Sequence, residues 1–269
     1  MSGAIAIVHG DADGVCSAAI IKAALGTIDI FFSHPAGLAE DLGEISEKGY
    51  SKILIVDISL SQLHLKEIIE RLRVFMEMGV EILYIDHHPW PSDLEKTRFP
   101  GKTYHTVGVS ASELTYHYFQ GVLERDLERI ALLGAIADYE DRTPWVIDTL
   151  RRWDKRDVYY EAGILALGLE GSRRNYEFKR RLVDLFSINI PPSMIDELVE
   201  KALEEERNNE KMRLNVKKRV KSFGQVAYIV NPGGSLGRAA IYAYSYTDAQ
   251  IGVAAEERKN HYNVSLRTR

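Results

Sequence analysis

The stretch AIAIVHGDADG, residues 4–14, decides the fold of this chain. Its first five residues form an uninterrupted apolar run, which is typical of a strand that is buried on both faces of a sheet. Glycines and aspartates then interrupt the run, and a helix rich in alanine and isoleucine is predicted over 14–25. A buried strand, a polar turn and a helix in this order indicate an α/β unit with parallel strands.

The same alternation continues as far as Pro91. Three more apolar runs predict strands at 28–32, 52–56 and 80–85. Between them, helices are predicted at 38–47 and at 63–78, where apolar residues recur at helical spacing. We therefore expect a parallel sheet with helices on both faces, in the α/β class.

Beyond this point the sequence becomes helical. Ser110 and Glu113 form a capping-box pattern, which predicts a helix with Ser110 as its N-cap and with Glu113 reaching back to that residue. Further helices are predicted at 127–139 and 145–153.

A pair of prolines at 191–192 divides the chain. A long polar helix is predicted from 194 to about 222, with glutamates early and lysines late, as suits the helix dipole. We expect a first domain over 1–190, a connecting helix over 191–222 and a smaller α/β domain over 223–269. In the smaller domain, strands are predicted at 226–230, 251–255 and 262–266, and a short helix at 237–246.

Composition excludes several classes of protein. Of 269 residues, 45% are hydrophobic and 27% charged, as in soluble globular proteins and unlike disordered or collagen-like chains. No apolar run approaches the ~20 residues that span a bilayer, and no basic segment precedes the first apolar run, so neither a membrane span nor a signal peptide is expected. The single cysteine, Cys16, allows no internal disulfide and favours the cytoplasm. The net charge of −5 excludes a basic nucleic-acid coat.

Acidic and histidine side chains follow three of the predicted strands. They are His9, Asp11, Asp13, Asp57, Asp86, His87 and His88. Because ligands bind outside the carboxyl ends of the strands in an open α/β sheet, we expect these side chains to meet at one edge. A further acid, Asp138, follows the apolar run LLGAIA at 132–137, where an ionised carboxylate needs a partner.

Several carboxylates at one edge repel one another unless cations lie between them. Imidazole and carboxylate ligands without a thiolate suit Mn²⁺, Mg²⁺, Fe²⁺, Co²⁺ or Zn²⁺. There are more ligands here than one ion requires. Two ions about 3.5–4 Å apart with a bridging carboxylate are an arrangement that hydrolyses phosphate esters. Gly10 and Gly14 allow close backbone approach, and the N–H groups of the helix that starts there face the same edge.

Four motifs in this order resemble those of the DHH phosphoesterase superfamily. They are HGDADG at 9–14, VD at 56–57, DHH at 86–88 and GAIAD at 134–138. That superfamily includes RecJ-type exonucleases, nanoRNA and pAp phosphatases, cyclic-dinucleotide phosphodiesterases and family II pyrophosphatases.

The resemblance implies a role for each motif residue. One metal would be held by His9, Asp11 and Asp57. The other would be held by Asp13, Asp57, His87 and Asp138, so that Asp57 bridges the two. His88 would face the substrate phosphate. Asp86 would not bind metal itself but would orient one of the metal-binding side chains.

The C-terminal residues resemble the DHHA1 substrate-binding domain. VSLR at 264–267 is similar to the SLR strand of that domain, which implies that Arg267 contacts substrate phosphate; Arg238 is a further candidate. The GGGHxxAAG loop that follows this strand in the family is not found, because the sequence stops at Arg269. GGS at 233–235 precedes the strand and lacks the histidine, so it is not equated with that loop. Either the chain is shortened here or its lineage has lost the loop.

The resemblance implies a cytoplasmic, metal-dependent phosphodiesterase with two divalent ions, Mn²⁺ or else Mg²⁺ or Co²⁺. Expected substrates are short single-stranded RNA or DNA, or a small nucleotide such as pAp. No membrane partner is expected, and a homodimer is allowed. The alternatives are a cyclic-dinucleotide phosphodiesterase and, outside the hydrolases, a catalytically inactive replication scaffold. A plain dinucleotide-binding fold is disfavoured because no G-x-G-x-x-G follows the first strand.

Several of these residues have simpler interpretations. Asp57 could cap the following helix, and Asp138 could be the ion-pair partner of Arg142. Arg142 is a candidate either for contacting phosphate or for an ion pair with Asp138 or Asp141. His34 is a candidate for either a structural or a substrate-binding role. A basic cluster is either a solvated face or a guide for an oligonucleotide backbone. It comprises Arg173, Arg174, Asn175, Tyr176, Lys179, Arg180 and Arg181.

Overall fold

A five-stranded parallel sheet forms the centre of the larger unit. The computed structural model describes residues 3–46, 48–92, 94 and 99–269, so the last residue of the helix predicted at 38–47 lies outside the described part. The strands are β1 (Ala4–His9), β2 (Asp29–Ser33), β3 (Lys52–Val56), β4 (Glu81–Asp86) and β5 (Lys102–His105). Their order is β2-β1-β3-β4-β5, and all neighbours pair in parallel. The predicted fold class is confirmed.

Helices cover both faces of this sheet. The helices of this part of the chain are α1 (Ala12–Leu25), α2 (Leu38–Ser46), α3 (Leu65–Glu77), α4 (Ala111–Phe119), α5 (Glu128–Ala137), α6 (Pro144–Leu150), α7 (Lys155–Ser172), α8 (Tyr176–Ser187) and α9 (Asp196–Arg219), the last of which continues into the smaller unit. Alternate residues of β1 enter two separate cores: Ala6 and Val8 pack with α1, whereas Ile5 and Ile7 pack with α2 and α3. Burial on both faces explains the unbroken apolar run of the first strand.

The strand β5 is missing from the sequence prediction, which gave only helices between Pro91 and the proline pair at 191–192. It has four residues, none of them fully buried, and lies at the edge of the sheet. An edge strand needs no apolar run, so the sequence carries little signal for it. Helices α7 and α8 were not predicted either.

The smaller unit comprises residues 203–269, and the division falls inside α9. Its strands are β6 (Lys221–Phe223), β7 (Val226–Val230), β8 (Ile251–Glu257) and β9 (Tyr262–Thr268), in the order β6-β7-β8-β9, and its helix is α10 (Leu236–Ser245). β7 and β8 are parallel, and the two outer strands pair antiparallel to them. The long polar helix ends at Arg219, earlier than predicted, and β6 takes residues 221–223.

One face of the smaller sheet is buried against helices. Met212 and Val216 of α9 and three alanines of α10 pack on Ala227 and Ile229 of β7. No helix among the described residues has both the length and the apolar character required to cross a bilayer.

Candidate metal centre

Side chains from β1, β3 and β4 and from the helices α1 and α5 converge at the carboxyl edge of the larger sheet. Three groups each place one nitrogen or oxygen atom per residue within 4.8 Å of the others. The groups are His9, Asp11 and Asp57; Asp13, His87 and Asp138; and Asp57, His87 and His88. All six side chains predicted as metal ligands are therefore brought together.

Asp57 lies between the groups. It follows β3 in a left-handed conformation (φ 59°) and donates its backbone N–H to the Ile85 carbonyl at 3.1 Å. Its Oδ1 lies 3.4 Å from Nε2 of His87, and its Oδ2 lies 4.0 Å from Nδ1 of His9. Helix α3 begins only at Leu65 and its N-cap residue is His64, so the alternative interpretation of Asp57 as a helix cap is wrong.

Asp11 contacts His9 and caps the helix α1. Its Oδ1 accepts a hydrogen bond from the Gly14 N–H at 3.1 Å, and its Oδ2 lies 2.7 Å from Nδ1 of His9. A side chain at Gly14 would collide with the His9 carbonyl, so the turn requires glycine there. Desolvation raises the pKa of Asp11, but the hydrogen bond and charge of His9 outweigh it and lower that pKa to about 2.

Asp13 is held by a second helix. Its carboxylate, 1% exposed, accepts hydrogen bonds from the backbone N–H groups of Ala111 at 2.7 Å and Ser112 at 2.9 Å. These groups belong to the first turn of α4, where unpaired N–H groups and the helix dipole favour an anion. Gly134 of α5 packs against the same place: a Cβ there would lie 3.0 Å from Asp13 Oδ1 and would collide with the Ser112 hydroxyl.

His87 joins Asp138 to the other acids. Its Nε2 lies 3.5 Å from Oδ2 of Asp138 and 4.0 Å from Oδ2 of Asp13. Asp138 follows the last turn of α5, so the fourth motif comes from a helix end and the other three from strand ends.

The electrostatics of this edge favour a cation. Burial, and then the neighbouring carboxylates, raise the pKa of Asp57 well above its usual value and that of Asp138 to about 7. Burial also raises the pKa of Asp13. Oδ2 of Asp57 is buried and accepts no hydrogen bond in the described part of the chain. An orphaned carboxylate oxygen among imidazole and carboxylate ligands fits a divalent ion such as Mn²⁺.

Asp86 and His88 form a separate pair beside this cluster. Oδ1 of Asp86 lies 2.9 Å from Nδ1 of His88, and its Oδ2 accepts hydrogen bonds from the His88 backbone N–H and from the Tyr84 hydroxyl. Asp86, which is 1% exposed, therefore orients His88. The hydrogen bond to Asp86 is the main cause of the raised pKa of His88.

Other predicted residues have local contacts. Nδ1 of the exposed His34 accepts a hydrogen bond from the Gly37 N–H at 3.1 Å. Among the described residues, the exposed Arg142 makes no ion pair, because Asp138 faces His87 and Asp141 accepts a hydrogen bond from Tyr159. The interpretation of Arg142 as an ion-pair partner is thus wrong.

The capping box is half formed. Ser110 caps α4 as predicted, accepting a hydrogen bond from the Glu113 N–H. The Glu113 carboxylate is turned toward Thr143, whose hydroxyl donates to it at 2.7 Å, and does not reach back to Ser110. Glu113 is buried, and its partner Thr143 is also the N-cap of α6.

The basic cluster is not a uniform face. Arg173 and Arg174 are exposed, and Arg181 pairs with Glu197. Lys179 differs from them: it is 5% exposed, and its ammonium donates a hydrogen bond to the Gly10 carbonyl beside the metal-ligand candidates. Burial lowers its pKa. No local sequence signal indicates this contact, because Lys179 lies more than 160 residues from Gly10.

The smaller unit has its own basic site. Arg267 of β9 pairs with Gly252 in the sheet, and its guanidinium lies against Gly237, where a Cβ would be 3.0 Å from Nη2. Gly237 is in the first turn of α10, which Ser235 caps through the Arg238 N–H. A guanidinium and a helix N-terminus are both groups that bind phosphate.

Comparison with known proteins identifies the larger unit. The model of the DHH family, N-terminal domain, matches residues 4–139, just over half of the chain. No curated protein sequence matches. A solved structure of exonuclease RecJ bound to manganese has a TM-score of 0.66 at 17% identity, over 97% of this chain and 77% of that one.

Two further solved structures are similar. A DHH-domain protein assigned to a family of ribosomal proteins has a TM-score of 0.67 at 14% identity, over 98% of this chain and 74% of that one. The pGpG-specific phosphodiesterase PggH from Vibrio cholerae has a TM-score of 0.58 at 11% identity, over 98% of this chain and 81% of that one. At these identities the likeness establishes a shared fold.

Proposed function

Because the chain belongs to the DHH family, we propose that it is a metal-dependent phosphoesterase whose two divalent ions bind at the carboxyl edge of the larger sheet. His9, Asp11 and Asp57 would hold one ion. Asp13, Asp57, His87 and Asp138 would hold the other. Mn²⁺ is the proposed metal, with Mg²⁺ or Co²⁺ as substitutes, because the donors are imidazole nitrogens and carboxylate oxygens.

The observation that carries this proposal is the position of Asp57. Its two oxygens face different histidines, His9 and His87, and one of those oxygens is buried without a hydrogen bond among the described residues. A buried carboxylate in that arrangement is costly alone and is stabilised by a cation on each side.

The protein side chains supply orientation and charge. Bound divalent ions lower the pKa of a water molecule and neutralise phosphoryl oxygens. Asp86 fixes the ring of His88 through Nδ1, so that Nε2 of His88 is free to donate a hydrogen bond to a phosphate oxygen. The raised pKa of His88 favours the protonated, donating form.

We propose short single-stranded RNA or DNA, or a small nucleotide, as the substrate. The net charge of −5 favours short substrates, and Arg267 with Arg238 at the start of α10 offers a phosphate site in the smaller unit. The similar folds of RecJ and of a pGpG-specific phosphodiesterase support hydrolysis of nucleotide phosphodiesters. The buried lone cysteine, Cys16, supports a cytoplasmic location.

One assay tests the proposal. Purified protein would be incubated with Mn²⁺ and a panel of short RNA, short DNA, pAp, a cyclic dinucleotide and pyrophosphate. We expect Mn²⁺-dependent hydrolysis of at least one nucleotide, loss of turnover with EDTA, and none in Asp57→Asn. The variant Asp184→Asn, which changes an exposed carboxylate paired with Lys22, serves as the matched control. Bound metal without hydrolysis of any substrate would favour the inactive scaffold; absence of metal binding would refute the metal site.

A further inference from the structure

A buried ammonium group lies beside the first metal motif. Lys179 is in the first turn of α8, and its Nζ donates a hydrogen bond to the carbonyl of Gly10, between His9 and Asp11. A Cβ at Gly10 would lie 3.2 Å from that nitrogen. Lys179 is therefore packed directly against the loop that carries two of the metal-ligand candidates.

The charge of Lys179 has no close counter-ion in the described part of the chain. Its ammonium has three N–H donors, and the Gly10 carbonyl accepts one of them. Its other neighbours are the ring of Tyr176, whose centroid is 5.8 Å away, and the carboxylate of Asp11, which lies beyond ion-pair distance. Lysines buried to this degree are normally paired with an anion.

Metal binding would not provide that anion. The three ligand groups contain four carboxylates, those of Asp11, Asp13, Asp57 and Asp138. Two divalent ions would balance their four negative charges, leaving Lys179 as an uncompensated cation at the edge of the site. A substrate phosphate is the anion that the proposed activity brings to this edge.

We propose that Lys179 binds a non-bridging phosphate oxygen of the substrate, as a substrate-binding residue supplied by α8. This inference rests on the proposed function. The competing interpretation is that Lys179 only anchors the Gly10 carbonyl and thereby shapes the loop.

Two substitutions separate these interpretations. Lys179→Met removes both the charge and the hydrogen bond, whereas Lys179→Gln removes the charge and keeps an N–H donor for Gly10. Lys22→Met is the matched control, since Lys22 lies near the opposite end of α1 and pairs with Asp184 of α8. Lys179→Arg keeps the charge.

The measurement is the affinity of the full-length, Mn²⁺-loaded protein for inorganic phosphate, by titration calorimetry, with KM and kcat determined in parallel. Loss of one charged hydrogen bond to phosphate corresponds to about 10- to 100-fold weaker binding. We expect that loss of affinity in both Lys179→Met and Lys179→Gln, with a KM rise larger than the fall in kcat. Values should stay near wild type in Lys22→Met, and Lys179→Arg should recover part of the affinity that Lys179→Met loses.

Three results would overturn the proposal. One is wild-type phosphate affinity in Lys179→Gln together with weak binding in Lys179→Met, which would assign Lys179 to the loop alone. Another is unchanged affinity in both variants. The third is a loss of phosphate affinity in the charge-preserving Lys179→Arg that is as large as the loss in Lys179→Met. Lys179-dependent phosphate binding without turnover of any substrate would refute the phosphoesterase proposal and still support this phosphate contact.

Discussion

Nε2 of His87 lies 3.4 Å from Oδ1 of Asp57, although the two residues end neighbouring strands that are 30 positions apart in the chain. Parallel pairing of β3 with β4 places their carboxyl ends side by side and creates this contact. The other carboxylate oxygen of Asp57 faces His9, at the end of β1 on the opposite side of β3. The central strand of the three thus supplies the side chain that two of the three candidate ligand groups share.

Asp57→Asn tests the shared carboxylate. Asparagine tolerates the left-handed backbone and has the same shape, but lacks the charge. We expect the metal-free variant to be more stable than the wild type, because a buried, repelled carboxylate has been removed. Mn²⁺ should no longer raise its melting temperature, and kcat should fall by at least about 100-fold. Thermal melts with and without Mn²⁺ measure both effects, and a variant that Mn²⁺ still stabilises fully would contradict the bridging role.

The metal-free protein should lose stability as pH rises. The pKa of Asp138 is raised to about 7 in the folded state, so folding favours its protonated form, and this contribution is lost as pH rises from about 4 through 7. The raised pKa values of His9 and His88 act in the same direction, because protonated histidine stabilises the fold below their folded pKa.

Melting temperatures in EDTA between about pH 5 and pH 8 measure this dependence. We expect the free energy of unfolding to fall less across this pH range in Asp138→Asn than in the wild type. The difference should be on the order of 1–2 kcal/mol, allowing for partial exposure of Asp138. Mn²⁺ should stabilise the wild type most at high pH, since the ion competes with protons for the ligands. An equal pH dependence in the variant would exclude Asp138 as its source.

Gly14→Ala should disturb the site through the backbone. The added methyl group would collide with the His9 carbonyl, so β1 and α1 must move apart at a cost of about 1–3 kcal/mol. Gly163→Ala is the matched control, because nothing lies within 4 Å of its added Cβ in α7. That substitution should stabilise the protein by about 0.4–1 kcal/mol. Chemical denaturation compares the two, and a neutral Gly14→Ala would contradict the tight approach.

Asp86→Asn should act on His88 without removing a metal ligand. The hydrogen bond to Asp86 is the main cause of the raised pKa of His88, so the variant should have a lower pKa at that ring. We expect kcat to fall about 10- to 100-fold and its alkaline limb to move to lower pH, with the Mn²⁺ stoichiometry retained. Tyr84→Phe removes only the hydroxyl that donates to Asp86 and should change the profile much less. An unchanged pH profile in Asp86→Asn would show that His88 does not control the reaction.

Arg267→Ala tests the smaller unit. Loss of a guanidinium that captures substrate phosphate should raise KM by about tenfold or more and change kcat less. Arg258→Ala, which removes an exposed arginine paired with Glu256, is the control. Steady-state kinetics would decide, and a fall in kcat at constant KM would argue against substrate capture by Arg267.

Residues with strong local signals were predicted well from the sequence. The apolar runs gave the strands β1 to β4, and parallel pairing then required the residues after them to meet at one edge. The edge strand β5 was missed because its residues are only partly buried. Its four residues, KTYH, do not form the apolar run that identified the other strands.

Contacts between distant helices could not be predicted. Lys179 looked like one member of a basic cluster, and only the packing of α8 on α1 places it beside Gly10. Glu113 had the spacing of a capping box, but its carboxylate accepts a hydrogen bond from the hydroxyl of Thr143, 30 residues later in the chain. In both cases a partner remote in sequence determines what the side chain contacts.

Asp11 uses one oxygen to start the helix α1 and the other to contact His9. That helix packs against α4, α5 and α8 in the larger core, so one side chain contributes both to the stability of this unit and to the arrangement of the candidate metal ligands. Replacement of Asp11 by alanine would therefore remove a helix cap, which contributes about 0.5–2 kcal/mol, together with a candidate metal ligand, so stability and metal binding have to be measured side by side in that variant.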